Sequence, residues 1–202
     1  MRKRDAKTRE PLEIACCKHC GHIQQSSMPS GSALEQYYAH NYRVDYKATH
    51  EPKPKHILRA GTVALRRLAL LRELGSLKRG MLALDIGAGG GEFTYLASKA
   101  GLVCEGIEPN HGYSDYARDA YGVKVSTSSI EEIDDTELEL VTLFHVLEHI
   151  ADPLESAKKL FSMIRADGLL MIEVPNVLQP DASPHNIFFK AHLHYFSKYT
   201  LT

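Results

Sequence analysis

The stretch Asp85-Ile86-Gly87-Ala88-Gly89-Gly90-Gly91 constrains this chain more than any other. It follows an apolar run, MLALDI (81–86), and precedes a helical pattern over 91–100 that Gly101 stops. A strand, a glycine-rich turn and a helix in that order place the turn at the carboxyl end of the strand, where open α/β sheets bind ligands. Glycine lets the backbone turn sharply there and approach a ligand closely. Glu108 ends the next apolar run, 21 residues after Gly87. A carboxylate at that place can accept hydrogen bonds from both hydroxyls of a ribose. The dinucleotide fingerprint requires a third glycine at position 92, where this chain has Glu92, a charge that a pyrophosphate repels. No Gly-Lys-Ser/Thr follows the glycines, so the loop is not a P-loop. The loop suits a nucleoside without phosphates; the bland alternative is a tight turn that holds nothing.

The chain around the loop alternates in kind. LVCEGIE (102–108), VKVST, LELVTLF (138–144) and LLMIEV (169–174) read as further strands. ILRAGTVALRRLALLRELG, residues 111–121 and DPLESAKKLFSMI read as helices, the first stopped by Gly75 and the second by Gly122. Strand–helix alternation predicts an α/β domain with a parallel sheet and helices on both faces. Residues 1–55 show little sustained periodicity. They read as a small irregular N-terminal segment rich in Cys and Tyr, with EPKPK (51–55) leading into a domain over 56–202.

A length of 202 residues fits one full domain, or one domain with a small appendage. At 44% hydrophobic and 24% charged the chain is neither disordered nor collagenous. Lys plus Arg (24) nearly cancels Asp plus Glu (25), so no net field draws nucleic acid or a membrane surface. No apolar run approaches the roughly 20 residues that span a bilayer. The basic start, MRKRDAKTRE, lacks the apolar segment of a signal peptide. These features predict a cytoplasmic chain with a small-molecule ligand and with neither nucleic-acid nor membrane partners. The cluster of Cys16, Cys17 and Cys20 is too local to staple a fold, which points to metal or redox use.

Taken together, LDIGAGGGEF, GIEPN, LFHVLEHIADP and ADGLLMIEVPN resemble the successive motifs of class I S-adenosylmethionine-dependent methyltransferases, over about residues 60–202. The resemblance implies a Rossmann-like sheet with S-adenosylmethionine lying across the strand ends. It implies that Asp85, Gly87, Ala88 and Gly89 flank the methionine part, and that Glu108 holds the ribose. Pro109 and Asn110 would border the adenine or ribose, Ser129 and Ile130 would meet the adenine, and Phe144 and His145 would close the far side. A sheet of this class has seven strands, and five are counted before Thr202. The resemblance thus implies a C-terminally short domain whose unpaired sheet edge invites association between copies.

His145, Glu148 and His149 share one face if the chain is helical there. Two imidazoles and a carboxylate can bind a divalent metal, can supply a general base for catalysis, or can simply shape the pocket. Some O-methyltransferases that this chain resembles use a Glu–His cluster here for metal, with a carboxylate where this chain has His145. HLHYFSKYTL resembles the stretch before a helix near the acceptor pocket of the same family, which makes His192 and His194 candidate substrate contacts. Tyr38 and Tyr42 lie one helical turn apart and either form a lid or pack on the domain surface. Cys17-x-x-Cys20-Gly21 reads as half of a zinc ribbon, since two such thiolates can share one Zn²⁺. The alternative is a loose, reduced cluster. A Cys pair followed by Gly and a Tyr-rich helix resembles the N-terminal part of methyltransferases acting on sugars, often at carbon. In this chain the first Cys pair of that pattern is missing. The leading expectation is a methyltransferase acting on a small molecule, with a sugar derivative first. The alternative is an inactive cofactor-binding partner or regulator. Glu92 disfavours a nicotinamide oxidoreductase.

Overall fold

The computed structural model describes residues 2–42, 49, 51–133, 137–179 and 187–201. Three short strands come first: β1 (Arg2–Arg4), β2 (Pro11–Cys16) and β3 (Ile23–Gln25). A short helix α1 (Gly31–Gln36) widens into a π-helical turn over Tyr37–Asn41. The long helix α2 (Pro54–Glu73) starts with Pro54 in its first turn, where the missing N–H costs nothing. It buries Ala64, Leu68 and Leu71, spaced four and three apart on one face.

The parallel strands and their helices follow: β4 (Leu82–Ile86), α3 (Glu92–Lys99), β5 (Val103–Ile107), α4 (His111–Tyr121) and β6 (Val125–Ser126). Then come β7 (Leu138–Phe144), α5 (Pro153–Ser162) and β8 (Ile164–Glu173). Local chemistry sets the helix ends. Asn110 Oδ1 accepts from the Tyr113 N–H at 3.2 Å and Asp152 Oδ1 from the Glu155 N–H at 3.0 Å. Gly122, at φ 65°, closes α4.

The five parallel strands run in the order β6-β5-β4-β7-β8, all paired parallel. The order reverses at β4, so a crevice opens beyond its carboxyl end, between β5 and β7. Successive residues feed opposite faces. Ala83 and Leu140 join Leu68, Leu71 and Phe93 on one side, and Leu84, Ile86, Val141 and Leu143 join Leu160 and Met163 on the other. This is the Rossmann-like architecture expected from the alternation. Among the described residues β8 is an edge strand.

Two expectations change. Residues 1–55, read as irregular, contribute three strands to a four-stranded antiparallel sheet, β1-β2-β3-β9, whose last strand β9 is His194–Tyr195. Leu12, Ile14, Phe188 and Tyr195 form its core. Strands of two to six residues are too short for their period to show, and the partner of β3 lies at the far end of the chain. β8 begins at Ile164, earlier than the apolar LLMIEV run, and pairs with β7 across a register shift between Leu138 and Leu140.

Candidate active site

The glycine loop bends where only glycine fits. Gly87 has φ 69°, and a Cβ there would lie 2.4 Å from Val146 Cγ2. Gly91 has φ 83°, and a Cβ there would meet Ala117 at 2.7 Å, where α3 packs on α4. The Gly89 N–H donates to Glu108 Oε2 at 2.9 Å and the Asn110 N–H to Glu108 Oε1 at 3.1 Å. Glu108 is thereby fixed at the end of β5, buried beside the loop. The Ala88 N–H donates to the Ile107 carbonyl at 2.9 Å, which ties the loop to the same strand. Asp85 lies beneath the loop, 2% exposed, and its carboxylate accepts from the Thr142 hydroxyl at 2.8 Å and the Thr94 hydroxyl at 3.1 Å. Burial pushes its pKa up to about 7 against the pull of those two bonds.

Ser129 caps a 3₁₀ turn over Ile130–Glu132, and Glu132 Oε2 accepts from the Ser129 N–H at 2.8 Å. Ile130 packs into the core with Ile107, Val141 and Leu143. Phe144 ends β7 with its ring 4.9 Å from that of Phe93 and the Arg67 guanidinium 3.8 Å above it. Arg67 also grips Glu173 at the end of β8 with two bonds, 2.8 and 2.9 Å. That guanidinium holds the Glu173 carboxyl below the usual carboxylate range.

His145 follows β7 in the left-handed region, at φ 59°. A non-glycine residue there is strained, and such strain gathers at functional sites. Its Nε2 lies 3.0 Å from Glu173 Oε1 and its Nδ1 3.5 Å from Glu148 Oε1. The nearby carboxylates, that of Glu148 foremost, raise its pKa against the opposing effect of burial. Glu148 and His149 sit on a 3₁₀ turn, Leu147–His149. His149 Nδ1 is 2.7 Å from the Ala191 carbonyl, so Nδ1 carries the proton and Nε2 carries the lone pair. That Nε2 lies 3.9 Å from Glu148 Oε1. The Tyr38 hydroxyl donates to the Ala191 carbonyl at 2.9 Å and lies 3.1 Å from His149 Nδ1. The Tyr42 and His192 rings flank His149 edge-on, at 5.2 and 4.9 Å. Burial lowers the His192 pKa to about 4.

Residues 59–202 match the family described as a methyltransferase domain. The chain belongs to that methyltransferase family. Its fold is similar to that of a SAM-dependent methyltransferase from Archaeoglobus fulgidus, at 23% identity and a TM-score of 0.57, covering 79% of this chain and 68% of that one. Magnesium protoporphyrin IX methyltransferase from Synechocystis PCC 6803, solved with bound SAH, is 18% identical at a TM-score of 0.53, covering 67% and 68%. Coclaurine N-methyltransferase, bound to N-methylheliamine and SAH, is 15% identical at a TM-score of 0.58, covering 85% and 64%. No curated protein sequence matches this chain significantly.

In this methyltransferase the β4 loop and Glu108 form one end of the crevice. His145, Glu148, His149, His192, Tyr38 and Tyr42 gather at another. His194 belongs elsewhere: its Nδ1 lies 3.0 Å from His22 Nε2 and its Nε2 3.2 Å from the Ala151 carbonyl. Cys17 and Cys20 are exposed on the turn between β2 and β3. Among the described residues no third metal-ligating side chain gathers with them. Backbone N–H groups of Cys20 and His19 lower the Cys17 pKa. A surface hollow of about 420 Å³, lined by Tyr95, Glu105, Tyr121 and Lys124, lies at the amino-terminal end of β5, away from the crevice.

Sequence reasoning missed Arg67, Glu173 and Gln25. Glu173 ends a strand as Glu108 does, and that was its signal. Arg67 is one of several arginines on an amphipathic helix and carried none. The Gln25 side chain donates to the carbonyls of Lys190 at 2.7 Å and His192 at 2.8 Å, a contact between opposite ends of the chain.

Proposed function

We propose that this domain transfers a methyl group from S-adenosylmethionine to a small-molecule acceptor. The observation that supports the reading is the pairing of Gly89 with Glu108 at the mouth of the crevice, with the His145–Glu148–His149 cluster at the end of the neighbouring strand β7. A Cβ at Gly87 would strike Val146, so glycine lets the loop lie against the turn after β7 that carries the cluster. A carboxylate can accept about four hydrogen bonds, so Glu108 can serve ribose hydroxyls as well as its two backbone donors. In this reading Gly87, Ala88 and Gly89 hold the methionine part, with Asp85 bracing the loop from below. Pro109, Asn110, Ser129 and Ile130 border the nucleoside, and Phe144 and His145 close the other side.

When bound, the cofactor supplies a methyl group made electrophilic by its sulfonium. The chain's task is then to hold the accepting atom in line at about 3 Å, which supplies much of the acceleration. His145, half exposed at the end of β7, takes the acceptor's proton, while Glu148 and His149 orient the atom that loses it. Tyr38, Tyr42 and His192 wall the acceptor's side of the cluster. The Cys-x-x-Cys-Gly turn and the tyrosine segment favour a sugar derivative as acceptor.

Thermal melting with S-adenosylhomocysteine (SAH), and with NADH as control, tests the reading. At about a hundred times its dissociation constant a ligand stabilises by about 2.7 kcal/mol. For a chain of this size that raises Tm by roughly 5–10 °C. The expected result is a rise with SAH alone, lost in Glu108→Ala. No shift with SAH, or an equal shift with NADH, overturns it.

A further inference from the structure

Glu148 is the anomaly of the site. It is 1% exposed, and among the described residues neither of its carboxylate oxygens has a hydrogen-bond partner. Buried polar atoms in folded proteins are nearly always satisfied, and a bound ion is one recognised reason for an exception. The groups around these oxygens are imidazoles rather than donors at bonding distance: His145 Nδ1 at 3.5 Å and His149 Nε2 at 3.9 Å from Oε1. His149 donates Nδ1–H to the Ala191 carbonyl at 2.7 Å, so the nitrogen nearer Glu148, Nε2, is the one that carries the lone pair. Metal-bound histidines are held in this way, with the distal N–H on a backbone carbonyl. His192 completes the group: one ligand atom each from Glu148, His149 and His192 lies within 4.8 Å of the others. Bonds of about 2.0–2.2 Å require ligand atoms about 3–4 Å apart, a little closer than these stand.

We propose that Glu148, His149 and His192 bind one divalent transition-metal ion, Mn²⁺, Fe²⁺ or Zn²⁺, with open coordination positions for an oxygen of the acceptor. Two imidazoles and a carboxylate on one side of an ion are a donor set suited to these metals. The group is held by the fold. The Leu193 N–H donates to the Glu148 carbonyl at 2.8 Å, and Gln25 holds the His192 carbonyl at 2.8 Å. His145 lies beside the ion rather than on it and stays available for the acceptor's proton. The acceptor's part rests on the methyltransferase reading; the binding of the ion does not.

The test is titration of the chelator-stripped full chain with Mn²⁺, followed by electron paramagnetic resonance. A Cys17→Ser/Cys20→Ser background repeats it with Zn²⁺, so that the thiols cannot mimic the site. The expected result is one saturable ion per chain with nitrogen couplings from imidazole in pulsed spectra. Glu148→Gln and His192→Asn each weaken it by more than about 10-fold, and both keep their SAH-induced rise in Tm. The nitrogen couplings decide the matter in the wild-type chain if a variant fails to fold. Absence of saturable binding, binding without nitrogen couplings, or unchanged affinity in both folded variants overturns the site. Metal binding without any SAH shift sustains the site and sinks the cofactor reading.

Discussion

Asp85 shows how one residue can favour the site over the fold. Its carboxylate sits at the end of β4 on two threonine hydroxyls, and burial raises its pKa from 3.8 to about 7 against those bonds and the more distant Arg67. The folded chain therefore holds this proton more tightly than the unfolded chain. The associated stability is fully present below pH about 4 and is lost as pH rises through about 7. Each pH unit in that window costs about 1.4 kcal/mol. Asp85→Asn keeps an acceptor for the threonines and removes the titration. Urea unfolding of both proteins should show the wild type losing about 2–3 kcal/mol relative to the variant between pH 5 and pH 8. A difference that stays flat across that range would show that Asp85 titrates normally.

At the scale of elements, the antiparallel sheet is a clamp on the segment that carries His192. Asp5, fully buried, accepts from the Lys190 N–H and from the backbone of its own turn at Lys7 and Thr8. The Gln25 backbone N–H donates to the Leu193 carbonyl at 2.8 Å, and its side chain spans the Lys190 and His192 carbonyls. Gln25→Ala leaves both carbonyls without that donor, which costs about 1–3 kcal/mol. Chemical denaturation reads the loss, and faster exchange of the Leu193 amide would place it in this segment; unchanged exchange would show that the clamp is dispensable. Elements like this explain what the sequence did and did not reveal. β7 and α4 were legible to the residue, because seven apolar-rich positions or a helix between an Asn cap and a Gly stop carry local signals. The glycine loop and Glu108 were legible because a strand end marks each. The N-terminal strands were not, since pairing between Ile23 and Tyr195 leaves no trace in either neighbourhood. For the same reason His192 and His194, two residues apart, were read alike, yet they serve different clusters.

The two sheets have separate cores, and a chain built this way can unfold in two steps. Here one segment is bonded to both. Leu193 donates to Glu148 beyond the parallel sheet, while Leu193 and Lys190 accept from Gln25 in the small one. Val177, just past β8, donates to the Phe196 carbonyl at 2.8 Å, and the Tyr38 hydroxyl bridges toward His149 and Ala191. Opening the antiparallel sheet frees β9 and with it the backbone partners of the His145–His149 turn. Opening the parallel sheet takes away the Glu148 carbonyl and the Val177 N–H that hold Leu193 and Phe196. Each event exposes polar groups buried by the other, so neither intermediate is favoured and unfolding is cooperative. The chain contains no tryptophan, which makes local probes simple to install. Phe188→Trp reports on the small core and Phe93→Trp on the large one. Their urea transitions should coincide with each other and with far-UV circular dichroism. If the Phe188→Trp signal moves first, with the Phe93→Trp signal unchanged, the clamp opens independently, and His192 then joins the site only when the small sheet closes.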